Sequence, residues 1–335
     1  MTDLTPARAR TIVERFEPLT VLVVGDVMVD HFLIGRVDRI SPEAPIPVVA
    51  FDREEYRVGG AANVANNVRA LGGQTSLVGA VGADEPGQRL LSDLRSAAID
   101  TTGIVIASDR PTTRKLRIVA NRNQQVARVD FETDQELKTA EARALLARLS
   151  GAAEQADIIV VSDYLKGIVT SNLMSQVLAV SHARGVPLLA DPKIPHLEYY
   201  AGCTLLTPNH HEAAIATNRL IRTDAEARQA GRDLRLKLGC ESVLITRGEQ
   251  GLWLLDGSSN AAEPCETALP AVAREVSDVT GAGDTIIATM ALGLAAGATL
   301  TEAAQLANQA AGLAVARFGP VTVSAQELVE AFVDH

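Results

Sequence analysis

Seven residues, Asp278-Val-Thr-Gly-Ala-Gly-Asp284, stand directly before an apolar run with helical spacing, Thr285 to Leu294. A Gly-Ala-Gly turn at the start of a helix leaves several backbone N–H groups without intrahelical partners. Those donors, on Gly281, Ala282 and Gly283, combine with the positive end of the helix dipole to favour phosphate oxygens or an oxyanion. A carboxylate beside such a site would repel the anion the site attracts. Asp284 makes sense there as a base that takes a proton from a hydroxyl while that hydroxyl attacks a phosphoryl group. The same residues would also serve as a plain capped helix start with glycines for close packing, so the turn alone leaves both readings open. No Gly-x-x-x-x-Gly-Lys-Ser/Thr occurs, and the third glycine of a dinucleotide fingerprint would fall at Ile286.

Four more clusters fall where apolar runs end and turn. They are Gly25-Asp26 to Asp30, Gly59-Gly60-Ala-Ala-Asn63, Thr207-Pro-Asn209-His-His-Glu212 and Thr246-Arg-Gly248-Glu-Gln-Gly251. Carboxylates and an amide near a glycine-rich helix start suit the vicinal hydroxyls of a polyol. Taken singly, Asp26 and Asp30 are ordinary turn and capping residues; it is the shared position at strand ends that gives them functional weight.

These residues need a scaffold, and strand-like runs alternating with helical patterns supply one: a mostly parallel sheet with helical crossovers. Strands are expected at Val21–Val24, Ser76–Val81, Ile158–Val161, Pro187–Ala190, Thr204–Leu206 and Ser242–Thr246. Helices are expected at Ala61–Leu71, Gly87–Ala97, Glu136–Leu149, Ser171–Ala183, Asp224–Leu238, Glu302–Phe318 and Ala325–Phe332. Two stretches break the rhythm. Residues 32–58 hold Pro42, Pro45 and Pro47 among β-branched residues, and residues 111–131 alternate around a turn at Asn121–Asn123. Both read as antiparallel strands inserted into one α/β domain, forming a small lid sheet over the carboxyl ends of the parallel strands.

The chain has 335 residues, a formal net charge of −10 and a sequence pI near 5.2. This argues against nucleic acid or an anionic membrane as partner, so any positive charge for a phosphorylated ligand must be local. Three widely spaced cysteines make neither a metal pattern nor a disulfide framework, and residues 1–16 lack a signal core, so a cytoplasmic location is expected.

On these motifs the chain resembles the ribokinase-like (PfkB) carbohydrate kinases, roughly from Leu19 to Val333. Gly59-Gly60-Ala-Ala-Asn63-Val-Ala65 with Gly72 and Gly82 is similar to the family's N-terminal signature, and residues 278–284 to its C-terminal signature. Ile286 and Thr289 depart slightly from the usual pattern. Within the family, Arg39 to Val49, Arg122-Asn-Gln-Gln, Ser162 to Gly167 and Asp191-Pro-Lys193 resemble kinases of D-glycero-D-manno-heptose 7-phosphate. No His-x-Gly-His nucleotidyltransferase motif occurs, so the resemblance implies the stand-alone kinase form.

The resemblance implies phosphorylation of the anomeric C1 hydroxyl to the 1,7-bisphosphate, for ADP-heptose and lipopolysaccharide core synthesis. It makes Asp284 the base and the Gly281, Ala282 and Gly283 amides the anion hole. Asn209, Glu212, Thr246, Gly248, Gly251 and Asn308 would line the ATP site, with Glu212 organising Mg²⁺ through water. Asp26, Asp30, Gly59, Gly60, Asn63 and Asn67 would meet the sugar. Asp278 and Thr280 sit where some relatives bind a monovalent cation such as K⁺ by backbone oxygens. For the 7-phosphate, Lys193 stands out because Asp191-Pro192 fixes its approach; Lys115 and Arg117 share a strand face and could grip one phosphate together. Relatives with such a lid dimerise through it, so a homodimer is expected. The rival readings are a kinase of fructose or tagatose 6-phosphate and a silent sugar-binding protein on the same scaffold.

Overall fold

A computed structural model describes residues 4–121, 124–258, 264–273 and 275–333. Arg122 and Asn123, part of the expected turn, lie outside the described residues. The chain begins with helix α1 (Pro6–Val13), strand β1 (Thr20–Gly25) and two long strands, β2 (Val27–Ile40) and β3 (Pro47–Gly60). Next come α2 (Ala61–Ala70), β4 (Gln74–Gly82), α3 (Glu85–Ser96), β5 (Ile104–Ala107), β6 (Thr113–Ala120) and β7 (Gln124–Phe131). The middle of the chain is α4 (Thr139–Ala153), β8 (Ile158–Ser162), α5 (Ser171–Arg184), β9 (Leu188–Asp191), β10 (Leu205–Leu206) and α6 (His210–Thr217). It closes with α7 (Asp224–Leu238), β11 (Ser242–Thr246), β12 (Leu252–Asp256), β13 (Cys265–Leu269), α8 (Ala282–Ala295), α9 (Leu300–Val315) and α10 (Ala325–Glu330).

Nine strands form the main sheet in the order β13-β12-β11-β10-β9-β8-β1-β4-β5. It is parallel from β11 to β5, with β12 and β13 added as an antiparallel edge. Strands covered on both faces need apolar side chains both ways, which is why Val21–Val24 and Ile158–Val161 are unbroken apolar runs. Alternate residues feed two cores. Val21 and Val23 pack with α2, α8 and α9, whereas Leu22 and Val24 pack with α4 and α5. Local signals set the helix ends. In α7, for example, Thr223 and Glu226 cap each other's backbone N–H groups and Gly239 stops the helix at φ +60°.

The inserted stretches form a separate four-stranded sheet, β3-β2-β6-β7. Two features differ from the expectation. The lid strands start immediately after β1, at Val27, and the central β2–β6 pair is parallel, so the lid is a mixed sheet. Parallel pairing follows from the route: β6 arrives after the whole α2–β5 excursion, not through a hairpin. The expectation also omitted α1, α6, β5, β12 and β13.

Helix α7 lies on β12 through a gap at Gly231, where an added Cβ would sit 2.1 Å from the buried Trp253 ring. Gly231→Ala should therefore destabilise the fold. The overpacking cost of about 1–3 kcal/mol exceeds the gain of about 1 kcal/mol for alanine in a helix. A lower Tm with a shift in emission from Trp253, the chain's single tryptophan, is expected. An unchanged or raised Tm would show that the ring has room to yield.

Candidate active site

From β1 the chain passes through the lid to β4 and β5 on one side, then returns to β8, β9 and beyond on the other. The crevice outside the carboxyl ends of β1 and β8 is thus the topological switch point, where open parallel sheets bind ligands. Asp26, the first residue after β1, closes the floor of that crevice. Its carboxylate is 1% exposed and accepts the backbone N–H groups of Tyr164 (2.7 Å), Lys166 (3.1 Å) and Ile168 (3.2 Å). Burial pushes Asp26 up to about 6, the Tyr164 N–H opposes that, and the Asp163 charge adds to it. Asp26 uses both oxygens to hold the 163–168 loop across the β1–β8 boundary.

That loop delivers Tyr164 to Asp284. The Tyr164 hydroxyl donates to one carboxylate oxygen of Asp284 at 2.9 Å, and the Asn63 amide donates to the other at 2.7 Å. Asp284, 4% exposed, is pushed up to about 6 by burial, while those two hydrogen bonds hold it down. It occupies the first turn of α8, whose N-cap is Gly281 at φ +81°. A side chain at Gly281 would meet the Asn63 amide at 2.8 Å, so the turn and the base's donor require glycine together. Ala282 differs from the expectation: its N–H turns back to the Val279 carbonyl at 3.2 Å. The N–H groups of Gly281 and Gly283 have no intramolecular acceptor among the described residues and remain for an anion.

Asn67 is 1% exposed; its amide donates to the Asn63 carbonyl at 2.9 Å and its oxygen accepts the Thr285 hydroxyl at 3.0 Å. One turn along α2 from Asn63, it points into the α2–α8 contact, where it stiffens both helices without reaching the crevice. Gly60, at φ +58°, lets the chain turn from β3 into α2 with a Cβ position only 2.4 Å from the Asp26 carbonyl. Asp30 lies beside Gly59 and forms an ion pair with Arg117, whose guanidinium stands over the Phe32 ring. Lys115 reaches Asp130 at 3.6 Å and Glu132 at 3.3 Å.

Lys193 follows the strand β9, as its sequence position implies. It pairs with Glu212 and stands 5.6 Å from the Tyr164 ring, in the neighbourhood of Asn209 and Thr246 and not of the lid. Burial lowers the Lys193 pKa, but Asp191 and Glu212 outweigh it and leave the ammonium above its ordinary range. Burial pushes Asp191 up to about 7, Lys193 opposes it, and the charges of Glu212 and Asp284 add to it. Asn209 caps α6, accepting from Glu212 N–H at 2.9 Å, while Glu212 accepts from Asn209 N–H at 2.9 Å. Thr246 borders this turn at the end of β11, and the 3₁₀ turn Gly248–Gln250, with Gly248 at φ +57°, is capped by Gly251 at φ +78°. The Asn308 amide donates to the Pro270 carbonyl at 2.7 Å, bracing the segment after β13. Asp278 accepts from Thr280 N–H (2.9 Å) and hydroxyl (2.7 Å) with one oxygen and from Gly319 N–H (3.0 Å) with the other.

Tyr164, Asp163 and Asp191 had no assigned role in the sequence reading. Asp163 is fully buried and receives His196 and Tyr200, anchoring the same loop from below. The signal was available: two polar residues, Asp163 and Tyr164, immediately after a buried strand, on the rim that carries the other clusters.

Comparison with known proteins fits this geometry. The pfkB family carbohydrate kinase model matches residues 19–327. The chain is 43% identical to the bifunctional protein HldE of Trichlorobacter lovleyi, over 96% of this chain and 64% of that protein. It thus spans about two thirds of the length of the curated relatives it matches. A putative ribokinase from Agrobacterium tumefaciens superposes with a TM-score of 0.76 at 25% identity, covering 94% of this chain and 98% of that one. Phosphofructokinase-2 from Escherichia coli, solved with potassium, gives 0.78 at 20% identity over the same shares. The architecture is the ribokinase-like α/β fold with a second small sheet.

A base must be ionised to accept a proton, so with Asp284 near 6 turnover should fall on the acid side below about pH 6. Tyr164→Phe removes a donor that favours the carboxylate, so the acid limb should move to higher pH. A pH profile of kcat in which this limb stays in place would take Tyr164 off the base.

Proposed function

Because the chain belongs to the pfkB family of carbohydrate kinases and is an ATP-dependent sugar kinase, we propose that its acceptor is D-glycero-D-manno-heptose 7-phosphate. The product would be the 1,7-bisphosphate, phosphorylated at the anomeric C1 hydroxyl, for ADP-heptose and lipopolysaccharide core synthesis. The observation that carries the chemistry is a buried carboxylate, Asp284, held by two donors beside the open amides of Gly281 and Gly283. The acceptor reading is supported by the segments Arg39–Val49, Ser162–Gly167 and Asp191–Lys193, and by the identity with proteins named HldE.

In phosphoryl transfer through a loose transition state, the protein mainly positions the reactants and stabilises charge. Asp284 would orient the hydroxyl and take its proton. Asn63 and Tyr164 would keep both carboxylate oxygens fixed while that happens. The Gly281 and Gly283 amides would face the charge on the transferred group, and Lys193 would add a cation from the Glu212 side. Asn209, Thr246, the Gly248–Gly251 turn and the segment braced by Asn308 would form the ATP side.

Mg²⁺ would be carried on the nucleotide phosphates, with Glu212 as a carboxylate reached through water. Bound there, it would neutralise phosphate charge. A monovalent cation such as K⁺ would have to use backbone oxygens of Asp278 and Thr280, since the Asp278 carboxylate is filled by N–H and O–H donors.

We further propose a homodimer through the lid. Ile40, Ile46 and Phe51 are exposed apolar side chains in its β2–β3 half, and Val129 and Phe131 are exposed on β7, an unfavourable arrangement for a sheet facing water. Light scattering at micromolar concentration should report twice the chain mass; a fully active monomer would remove this assembly.

Turnover of heptose 7-phosphate should exceed that of fructose or tagatose 6-phosphate in a coupled ADP assay. Asp284→Asn should lower turnover by about 10²–10⁴ while both substrates still bind. Preference for a hexose phosphate would replace the acceptor, and near-normal turnover of Asp284→Asn would remove the base.

A further inference from the structure

The Lys115 ion pairs described above belong to a larger cluster. Glu132, the residue after β7, offers its two oxygens to different ammonium groups: Lys115 from β6 at 3.3 Å and Lys166 from the loop after β8 at 2.8 Å. Lys115 also reaches Asp130 at 3.6 Å, and Arg128 holds the other Asp130 oxygen at 2.9 Å. The cluster holds three cations, Lys115, Lys166 and Arg128, against two carboxylates, Asp130 and Glu132, so one positive charge is in excess. Lys115 and Lys166 are mostly shielded, with side chains 16% and 17% exposed, so their charges are less screened than those of surface lysines. Two ammonium groups converging on one carboxylate make a better site for a phosphate, which has more charge and more acceptor oxygens. Arg117, by contrast, is already matched by Asp30.

The cluster is also placed on the scale of a phosphosugar. The Lys166 backbone N–H is fixed by Asp26, and Tyr164 on the same loop touches Asp284. The Cα atoms of residues 164 and 166 are at most about 7 Å apart. A hexose or heptose phosphate with its reacting hydroxyl at Asp284 would extend its far end toward this loop. Glu132 belongs to the lid side and Lys166 to the core, so the present ion pair ties one to the other.

We propose that Lys115 and Lys166 are the clamp for the phosphate already carried by the acceptor sugar, and that Glu132 is a resident carboxylate that this phosphate displaces. This rests on the reading that the acceptor is a phosphosugar. An unphosphorylated sugar has nothing to exchange for Glu132, which gives the enzyme a reason to reject it. A phosphosugar takes over the tie between lid and core, so the lid closes on the ligand itself.

The test uses Glu132→Gln and Lys166→Gln in the full chain, with Lys115→Gln as a second clamp variant and thermal melts to confirm folding. Lys166→Gln should raise KM for the sugar phosphate by about 10- to 100-fold, with far less change in KM for ATP. Glu132→Gln should lower that KM and should tighten competitive inhibition by inorganic phosphate by about 10-fold. In the Lys166→Gln background the benefit of Glu132→Gln should largely vanish. A Glu132→Gln variant that binds phosphate no better, or a Lys166→Gln variant that weakens both substrates equally, would overturn the clamp. The inorganic phosphate measurement separates this from the acceptor reading. If wild type prefers an unphosphorylated sugar, the acceptor reading falls and the clamp falls with it, and a Glu132→Gln variant that still tightens inorganic phosphate then reports an anion site with no part in acceptor binding. If phosphosugars are preferred and neither variant shifts phosphate binding, the acceptor reading stands and the clamp alone falls.

Discussion

Three backbone N–H groups converging on the Asp26 carboxylate hold this site together. A carboxylate buried at the end of β1 would be costly if left unpaired, and the donors that satisfy it come from a loop that has no regular structure of its own. The sheet register puts Gly25 beside Ser162, so the Asp26 side chain is presented directly to the start of that loop. The bond therefore fixes Tyr164 and Lys166 in space more firmly than the loop's own sequence could. Through Tyr164 it reaches Asp284, and through Lys166 it reaches the lid.

The second constraint is electrostatic. Asp26, Asp191 and Asp284 sit near one crevice, and burial raises all three. Such a set is stable only if donors and cations are distributed among them, and each has a different kind of partner. Asp26 has backbone N–H groups, Asp284 has an amide and a phenol, and Asp191 has Lys193 nearby. Only Asp284 also faces open helix-start amides, which makes it the proposed proton acceptor among these carboxylates. Perturbed acids make the region a functional-site candidate, and the difference in partners is the basis for proposing Asp284 as the base.

Residues 278–284, which lead into α8, showed the glycine turn and helix start in the sequence, because both depend on local backbone geometry. The helix Asp224–Leu238 was legible for the same reason, its capping pair and terminal glycine being neighbours in sequence. The Asn67 contact with Thr285, 218 residues away in sequence, was not legible, because a polar residue one helical turn from Asn63 gives no sign of which partner it faces. The loop-holding contacts of Asp26 were hidden likewise, since its partners lie 138 to 142 positions on. Lys193 looked like a lone cation after a strand until Glu212 was placed beside it. The lid's parallel β2–β6 pair was hidden because alternation reports which face a residue takes and is silent on strand direction. Burial pattern is local and readable, while the identity of a buried polar partner depends on tertiary structure.

The central claim, that Asp284 activates an anomeric hydroxyl of a phosphosugar, is tested most directly by ³¹P NMR of heptose 7-phosphate incubated with ATP and magnesium. The account predicts one new sugar phosphate signal, coupled to the anomeric proton, growing in step with ADP while the 7-phosphate signal persists. Phosphate appearing on a different hydroxyl, or ADP accumulating with no new sugar phosphate, would contradict it.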